Sequence, residues 1–242
     1  MILDYVMPMN LERRKDKWYF ILGCLRKIGF QPAQIIRFIA HDAQDYPDIT
    51  SICEAMRADG FDYDASDPVT SPTDIRILAW IWTMRSALQK IVELDKTVLL
   101  LIDDFSPAAH WTYNRLNHLV QECYRCEYDH GPFRILQLSH SYDPCDRNTH
   151  KPHTSMLSKG LSGFNDWGAV FSPAGAKVFL EVYDFHPNSI PEGIFLILSE
   201  LKNEHDYSYG MWHTIDPILE ILYDFGSDLV GLPGTPEEWI KL

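Results

Sequence analysis

A chain of 242 residues with 46% apolar and 13% aromatic side chains can bury the core of one large α/β domain, which excludes a disordered polypeptide. With 34 acidic against 21 basic side chains, the formal charge of −13 repels nucleic acid and anionic membrane over most of the surface. A general nucleic-acid binder is therefore set aside, and an anionic ligand would need a local basic patch or a bound metal. No stretch approaches the roughly 18 apolar residues of a membrane-spanning helix. The five cysteines (Cys24, Cys53, Cys123, Cys126, Cys145) are odd in number and scattered, the usage of a reducing compartment. Met1 leads into Ile2-Leu3-Asp4 without a basic segment and a long apolar run, so no signal peptide is expected and the chain reads as cytoplasmic.

In chain order, Tyr5-Val6-Met7-Pro8-Met9 predicts a short first strand ending at Asn10, which can cap the helix after it. Trp18, Ile21, Leu22, Leu25 and Ile28 recur at helical spacing, and Gly29 closes that helix. Gln34 to Ala40 reads as a second strand ending at His41-Asp42, so the opening is a βαβ unit and implies a parallel sheet. Arg13 and Arg14 at the mouth of the first strand can meet a nucleotide diphosphate, or simply form a solvated helix start. Residues 43–72 are acidic and turn-rich, with one short helix near Ile49–Ala58. A long helix from about Thr73 to Leu94 is apolar all round in its first half, hence buried there.

That helix delivers the chain into Thr97-Val98-Leu99-Leu100-Leu101-Ile102, followed at once by Asp103-Asp104. An unbroken apolar run of this length reads as a strand buried on both faces, and open α/β sheets bind ligands beyond the carboxyl ends of such strands. Paired carboxylates there can hold a divalent cation, since hard cations take oxygen ligands. The plainer reading is turn chemistry, because Asp suits both turns and helix starts. Ser106-Pro107 predicts an N-cap and first helical residue for a helix through about Cys126.

Phe133 to Leu138 is a further strand, followed by a long polar loop, Ser139 to about Asn165, with His140, His150 and His153. Trp167 to Phe171 is another strand, and Ser172-Pro173 starts a helix through about Tyr183. A helix from Pro191 to Leu201, a strand from Tyr207 to Trp212 and a last helix opened by Pro217 complete the domain, with 231–242 as an extension. Cys123 and Cys126, with Cys145, His150 and His153, suggest zinc only weakly, since the cysteine pair falls within a helix; packing thiols are the better reading. Trp111, Trp167 and Trp212 can stack on sugar rings or serve as core.

Four segments, in order, carry a likeness to a known family. They are Tyr5 to Asp16, read against a strand and Asn-Leu-x-Arg-Arg-x-Asp-Arg; Arg37-Phe38-Ile39-Ala40-His41-Asp42, against Arg-Phe-x-Ala-x-Asp; Leu101-Ile102-Asp103-Asp104, against Leu-Glu-Asp-Asp; and Ala169 to Ala176, against a strand, Ser-x-x-Gly-Ala and a helix. In these the chain resembles glycosyltransferase family 25, whose members include lipopolysaccharide and procollagen galactosyltransferases. The resemblance implies a single GT-A-like domain over 1–242, with a mostly parallel twisted central sheet flanked by helices.

It also implies an inverting transfer of a sugar such as galactose from a nucleotide-sugar donor, most readily a UDP-sugar, to a hydroxyl of a glycan, protein or small molecule. Asn10, Arg13, Arg14, Asp42 and Asp103 fall at the donor in this reading. Mn²⁺ or Mg²⁺ would be held by Asp104, with Asp103 and His213, and would neutralise the departing diphosphate. Glu192, then Asp166, are the candidate bases for the acceptor hydroxyl.

The chain departs from the family pattern at three places. The Gly-Glu-x-Gly-Cys-x-x-Ser-His run is replaced by Thr73 to Trp82, the leading Glu of the acidic motif is Ile102, and Ile190-Pro191-Glu192 stands for Pro-Val-Asp. These departures leave a second expectation, a GT-A-like protein without catalysis acting as a binding or scaffold module. A doubly wound phosphate enzyme is a third, but no Gly-rich loop follows any strand.

Overall fold

The computed structural model describes residues 2–63, 74–103, 105–107, 111–127, 131–138, 151–152, 154–155, 157–159, 168–185, 211–214 and 219–221. Ten strands lie among them: β1 Tyr5–Leu11, β2 Phe38–Ala40, β3 Val98–Ile102, β4 Phe105–Pro107, β5 Ile135–Gln137, β6 Lys151–Pro152, β7 Leu157–Lys159, β8 Gly168–Phe171, β9 Met211–Thr214 and β10 Leu219–Ile221. The helices are α1 Lys15–Ile28, α2 Ile49–Ala58, α3 Ile75–Leu94, α4 Tyr113–Arg125 and α5 Pro173–Phe185.

The result is a mixed α/β architecture. Six strands in the order β2-β1-β3-β8-β5-β9 form the body of the sheet, and only β8 runs against the rest. A short hairpin, β7 and β6, extends the sheet beyond β9. β1 lies between β2 and β3 and is parallel to both. The chain therefore moves one way from β1 to β2, then back across β1 to β3. That reversal is a topological switch, and the crevice it opens lies beyond the carboxyl ends of β1 and β3.

The core follows from strand alternation. Val98, Leu100 and Ile102 face a cluster built by Ile52 and Met56 of α2, Leu78, Ile81 and Leu88 of α3, and Phe179 and Tyr183 of α5. Leu99 and Leu101 face the opposite cluster, with Ile21 and Leu25 of α1 and Leu116, Leu119 and Val120 of α4. All five β3 side chains are buried. At about 1.5–3 kcal/mol for each large apolar side chain, this strand contributes more per residue than any exposed element could.

Two glycines are forced by geometry. Gly29 ends α1 in the left-handed region at φ 114°, with its N–H and that of Phe30 donating to the Leu25 carbonyl. A Cβ on Gly175 would stand 1.9 Å from the Arg134 carbonyl oxygen, so the first turn of α5 can lie against the start of β5 only with glycine there. Ser172 secures the same contact. Its Oγ donates to the Phe133 carbonyl at 2.5 Å and accepts from the Gly175 N–H at 3.0 Å, the N-cap that the sequence predicts.

Several expectations are corrected. Asn10 belongs to β1 and does not cap α1, whose N-cap position is Arg14. Most of the expected second strand is a 3₁₀ turn at Pro32–Gln34 and extended chain, leaving three residues as β2. Ser106-Pro107 does not open a helix: Phe105–Pro107 pairs antiparallel with Leu219–Ile221, and α4 starts later, capped by the Thr112 hydroxyl. The same pairing makes 219–221 a strand where a helix from Pro217 is expected. The expected helix at 191–201 lies outside the described residues. No described helix is long and apolar enough to cross a membrane.

Candidate functional site

The register of β1 on β3 ends with Met9 beside Ile102, so the next residues of the two strands, Asn10 and Asp103, are neighbours at the crevice. Alternation puts both on the face covered by α1. Asn10 is 1% exposed and uses every group of its amide. Its Nδ2 donates to Asp103 Oδ2 at 3.0 Å and to the Arg14 carbonyl at 3.2 Å, while its Oδ1 accepts from Arg37 at 2.6 Å. Arg37 also donates to the Leu11 carbonyl and lies over the Trp18 ring, 5.1 Å from the centroid.

Across from Asn10, Asp103 Oδ1 is 3.5 Å from the Lys17 ammonium. Lys17 is 1% exposed and occupies the buried face of α1 with Ile21 and Leu25, one turn apart each. An ionised amine in that position requires a paired charge. The order across the site is thus Arg37, Asn10, Asp103, Lys17, with the Glu12 carboxylate 3.7 Å from Arg37 at the outer end.

At the rim, Arg13 pairs with Asp42 and Arg14 with Asp16 at 2.8 Å. The Arg14 guanidinium holds the Asp16 carboxyl below the usual carboxylate range, its hydrogen bond outweighing the cost of partial burial. Asp42 also accepts from the Gln44 N–H at 3.0 Å, fixing the turn after β2. Beside it, the His41 ring lies flat on Trp82, with centroids 3.6 Å apart and planes 9° apart. Burial pushes the His41 pKa down, only partly opposed by the nearby Asp59 charge. Trp82 is itself fixed by Asp59, which accepts from its Nε1 at 2.9 Å.

No protein-family model matches the chain, and no curated protein matches it.

Of the residues expected at a donor site, Asn10, Arg13, Arg14, Asp42 and Asp103 are brought together at the carboxyl ends of β1, β2 and β3. Asp104, Asp166 and Glu192 lie outside the described residues. The backbone of His213 is in β9, on the rung that runs Leu100, Ala169, Gln137, His213. Three strand spacings place it about 14 Å from β3, level with Leu100 rather than with the acidic turn. Its side chain lies outside the described residues. Trp111 and Trp212 are buried in the core rather than presented to a sugar, and Trp167 lies outside the described residues. Cys123 is buried on α4, where burial raises its thiol pKa well above the ordinary value, as suits a packing thiol. Cys145, His150 and His153 lie outside the described residues.

A divalent cation implied by the family resemblance can be tested against the one described member of its expected ligand set. Asp103 does not fit. One oxygen faces an ammonium and the other accepts from an amide whose own oxygen is held by a guanidinium. Among the described residues no group of three or more His, Cys, Asp or Glu is placed to hold a metal.

Lys17 and Arg37 are the participants that sequence reasoning passed over as candidates. Each carried a signal. Lys17 occupies the inward stripe Lys17, Ile21, Leu25, where an apolar residue is the rule, and Arg37 interrupts an otherwise apolar run from Ile35 to Ala40.

Proposed function

We propose that the chain is an inverting glycosyltransferase of GT-A type, taking a nucleotide-sugar donor in the crevice beyond β1 and β3. The observation that carries this reading is the Asn10–Asp103 contact. It sets the acidic turn of a fully buried strand against the arginine-bearing end of β1 at the switch in strand order. The flanking helices and the reversal of β8 within the six-stranded body of the sheet support the same reading.

In this proposal the donor diphosphate meets Arg13 and Arg14, because a guanidinium fork matches the geometry of phosphate oxygens. Lys17 and Arg37 line the floor of the site, paired with Asp103 and Glu12. An acceptor hydroxyl attacks the anomeric carbon as the nucleoside diphosphate leaves from the opposite side. Glu192 or Asp166 takes the hydroxyl proton. A Mn²⁺ or Mg²⁺ ion would be held through Asp104 rather than Asp103, and would neutralise charge on the leaving diphosphate. The reduced state of Cys24, Cys53, Cys123 and Cys126 suits a cytoplasmic enzyme.

One observation favours a second reading, a binding module of the same architecture without catalysis. The Asp103 carboxylate is already engaged by Lys17 and Asn10, so its charge is spent within the protein.

Calorimetric titration with UDP, GDP and their sugars tests the proposal. One nucleotide should bind, and Arg13→Ala and Arg14→Ala should each weaken it about 5-fold or more, at about 1–2 kcal/mol for a charge-assisted contact. No binding at millimolar concentration, or affinity indifferent to both arginines, would refute it. Sugar transfer or donor hydrolysis then distinguishes the enzyme from the module.

A further inference from the structure

We propose that Lys17 is the resident cation of the acidic turn: it fills, at Asp103, the place that a divalent metal would take. Asp103 is accordingly a positioning residue for Lys17 and Asn10 and not a metal ligand. The inference rests on the glycosyltransferase reading only for the identity of the ligand; the cation arrangement stands on geometry alone.

The first argument is local. Lys17 starts the buried stripe of α1, with Ile21 and Leu25 one and two turns on, so the helix aims its side chain at the sheet and away from water. At 1% exposure the ammonium does not snorkel to the surface, and a buried ammonium has to be matched by a carboxylate. Among the described residues, the carboxylate that ends β3 lies 3.5 Å from it.

The second argument concerns what else could enter. A divalent ion on an Asp103 oxygen would lie about 2.0–2.6 Å from it. It would therefore stand within a few ångströms of the ammonium that faces Oδ1. On the Oδ2 side it would displace the Asn10 amide, whose removal strips Arg37 of its shortest hydrogen bond. Both approaches set a double positive charge against cations that the fold already holds in place. The arrangement already matches its cations with carboxylates, Lys17 with Asp103 at 3.5 Å and Arg37 with Glu12 at 3.7 Å.

The test uses Mn²⁺ alone, read by electron paramagnetic resonance of the free ion, on the full chain. Asp103→Asn should leave the wild-type Mn²⁺ affinity within 3-fold. Lys17→Gln, which removes the resident charge, should tighten Mn²⁺ binding 10-fold or more, and Asp103→Asn in that background should abolish the gain. Lys17→Arg, which keeps the charge, should show no gain. A loss beyond 3-fold for Asp103→Asn in the wild-type background overturns the proposal, as does a folded Lys17→Gln variant with no gain. If Lys17→Gln fails to fold by circular dichroism, the Asp103→Asn result decides. Because no nucleotide is present, failure of the glycosyltransferase reading leaves this outcome untouched, and the reverse also holds.

Discussion

Replacing Asn10 by alanine removes three hydrogen bonds from a residue that is 1% exposed, and two of them reach charged partners. The bond to the Arg14 carbonyl, neutral and 3.2 Å long, is worth about 1 kcal/mol net, and those to Asp103 and from Arg37 about 1.5–3 kcal/mol each. Water reaches the partners in part, because the Asp103 and Arg37 side chains keep 17% and 20% of their surface. Solvent screening therefore brings the cost to or just below the lower end of the sum of about 4–7 kcal/mol, to about 3–4 kcal/mol. In a chain of this size each kcal/mol moves the midpoint by about 2–4 °C, so the variant should melt about 6–16 °C lower by scanning calorimetry at pH 7.

Asn10→Asp separates the lost donors from the lost shape. It keeps the acceptor toward Arg37 but sets a second carboxylate against Asp103, so its deficit should shrink as acid protonates one of the two and restores a donor. The alanine deficit has no such dependence. A midpoint loss below about 2 °C for Asn10→Ala would refute the idea that this amide ties β1 to β3. A deficit for Asn10→Asp that is flat between neutral and mildly acidic pH would refute the geometry assigned to Asp103.

Gly175→Ala forces a methyl group into the Arg134 backbone, where no side chain can yield, and should cost about 3 kcal/mol, at the upper end of overpacking, by urea unfolding. His41 has its pKa lowered from 6.5 by burial, so the folded state favours the neutral ring; stability should be complete above that value and fall as the pH drops below it. His41→Phe, which keeps a flat ring on Trp82, should flatten the midpoint-versus-pH curve between neutrality and mild acid; an unchanged curve would exclude His41 as its source. Cys123 is buried with a raised thiol pKa, so alkylation followed by peptide mass spectrometry should label it at least about 10-fold more slowly than the half-buried Cys24; equal rates would contradict its burial.

The elements best read from sequence are those whose signals are local and redundant. Val98–Ile102 is a run of apolar residues between a helix end and a carboxylate pair, and it forms a fully buried strand. Ile49–Ala58 has a capping Asp48 one residue before it, and its bounds match the expectation. The errors come from contacts that a local reading does not contain. Ser106-Pro107 satisfies the chemistry of a helix start, but its backbone is claimed by Leu219–Ile221, over a hundred residues away. An apolar run such as Gly168–Phe171 looks alike in either direction, so nothing in it announces that β8 is reversed.

The same distinction explains the site. Asp103 was legible as a carboxylate at the end of an interior strand, and its partner was not, because an acidic pair by itself does not say which cation balances it. That is decided by what the neighbouring helix presents. Helical phase alone places residue 17 on the inward stripe with Ile21 and Leu25, and a lysine at that phase has nowhere to put its charge except against the sheet end it covers. A metal reading treats the acids as the determinant and the first helix as scaffold. The phase of α1 reverses this: the helix supplies the cation, and the acid serves it.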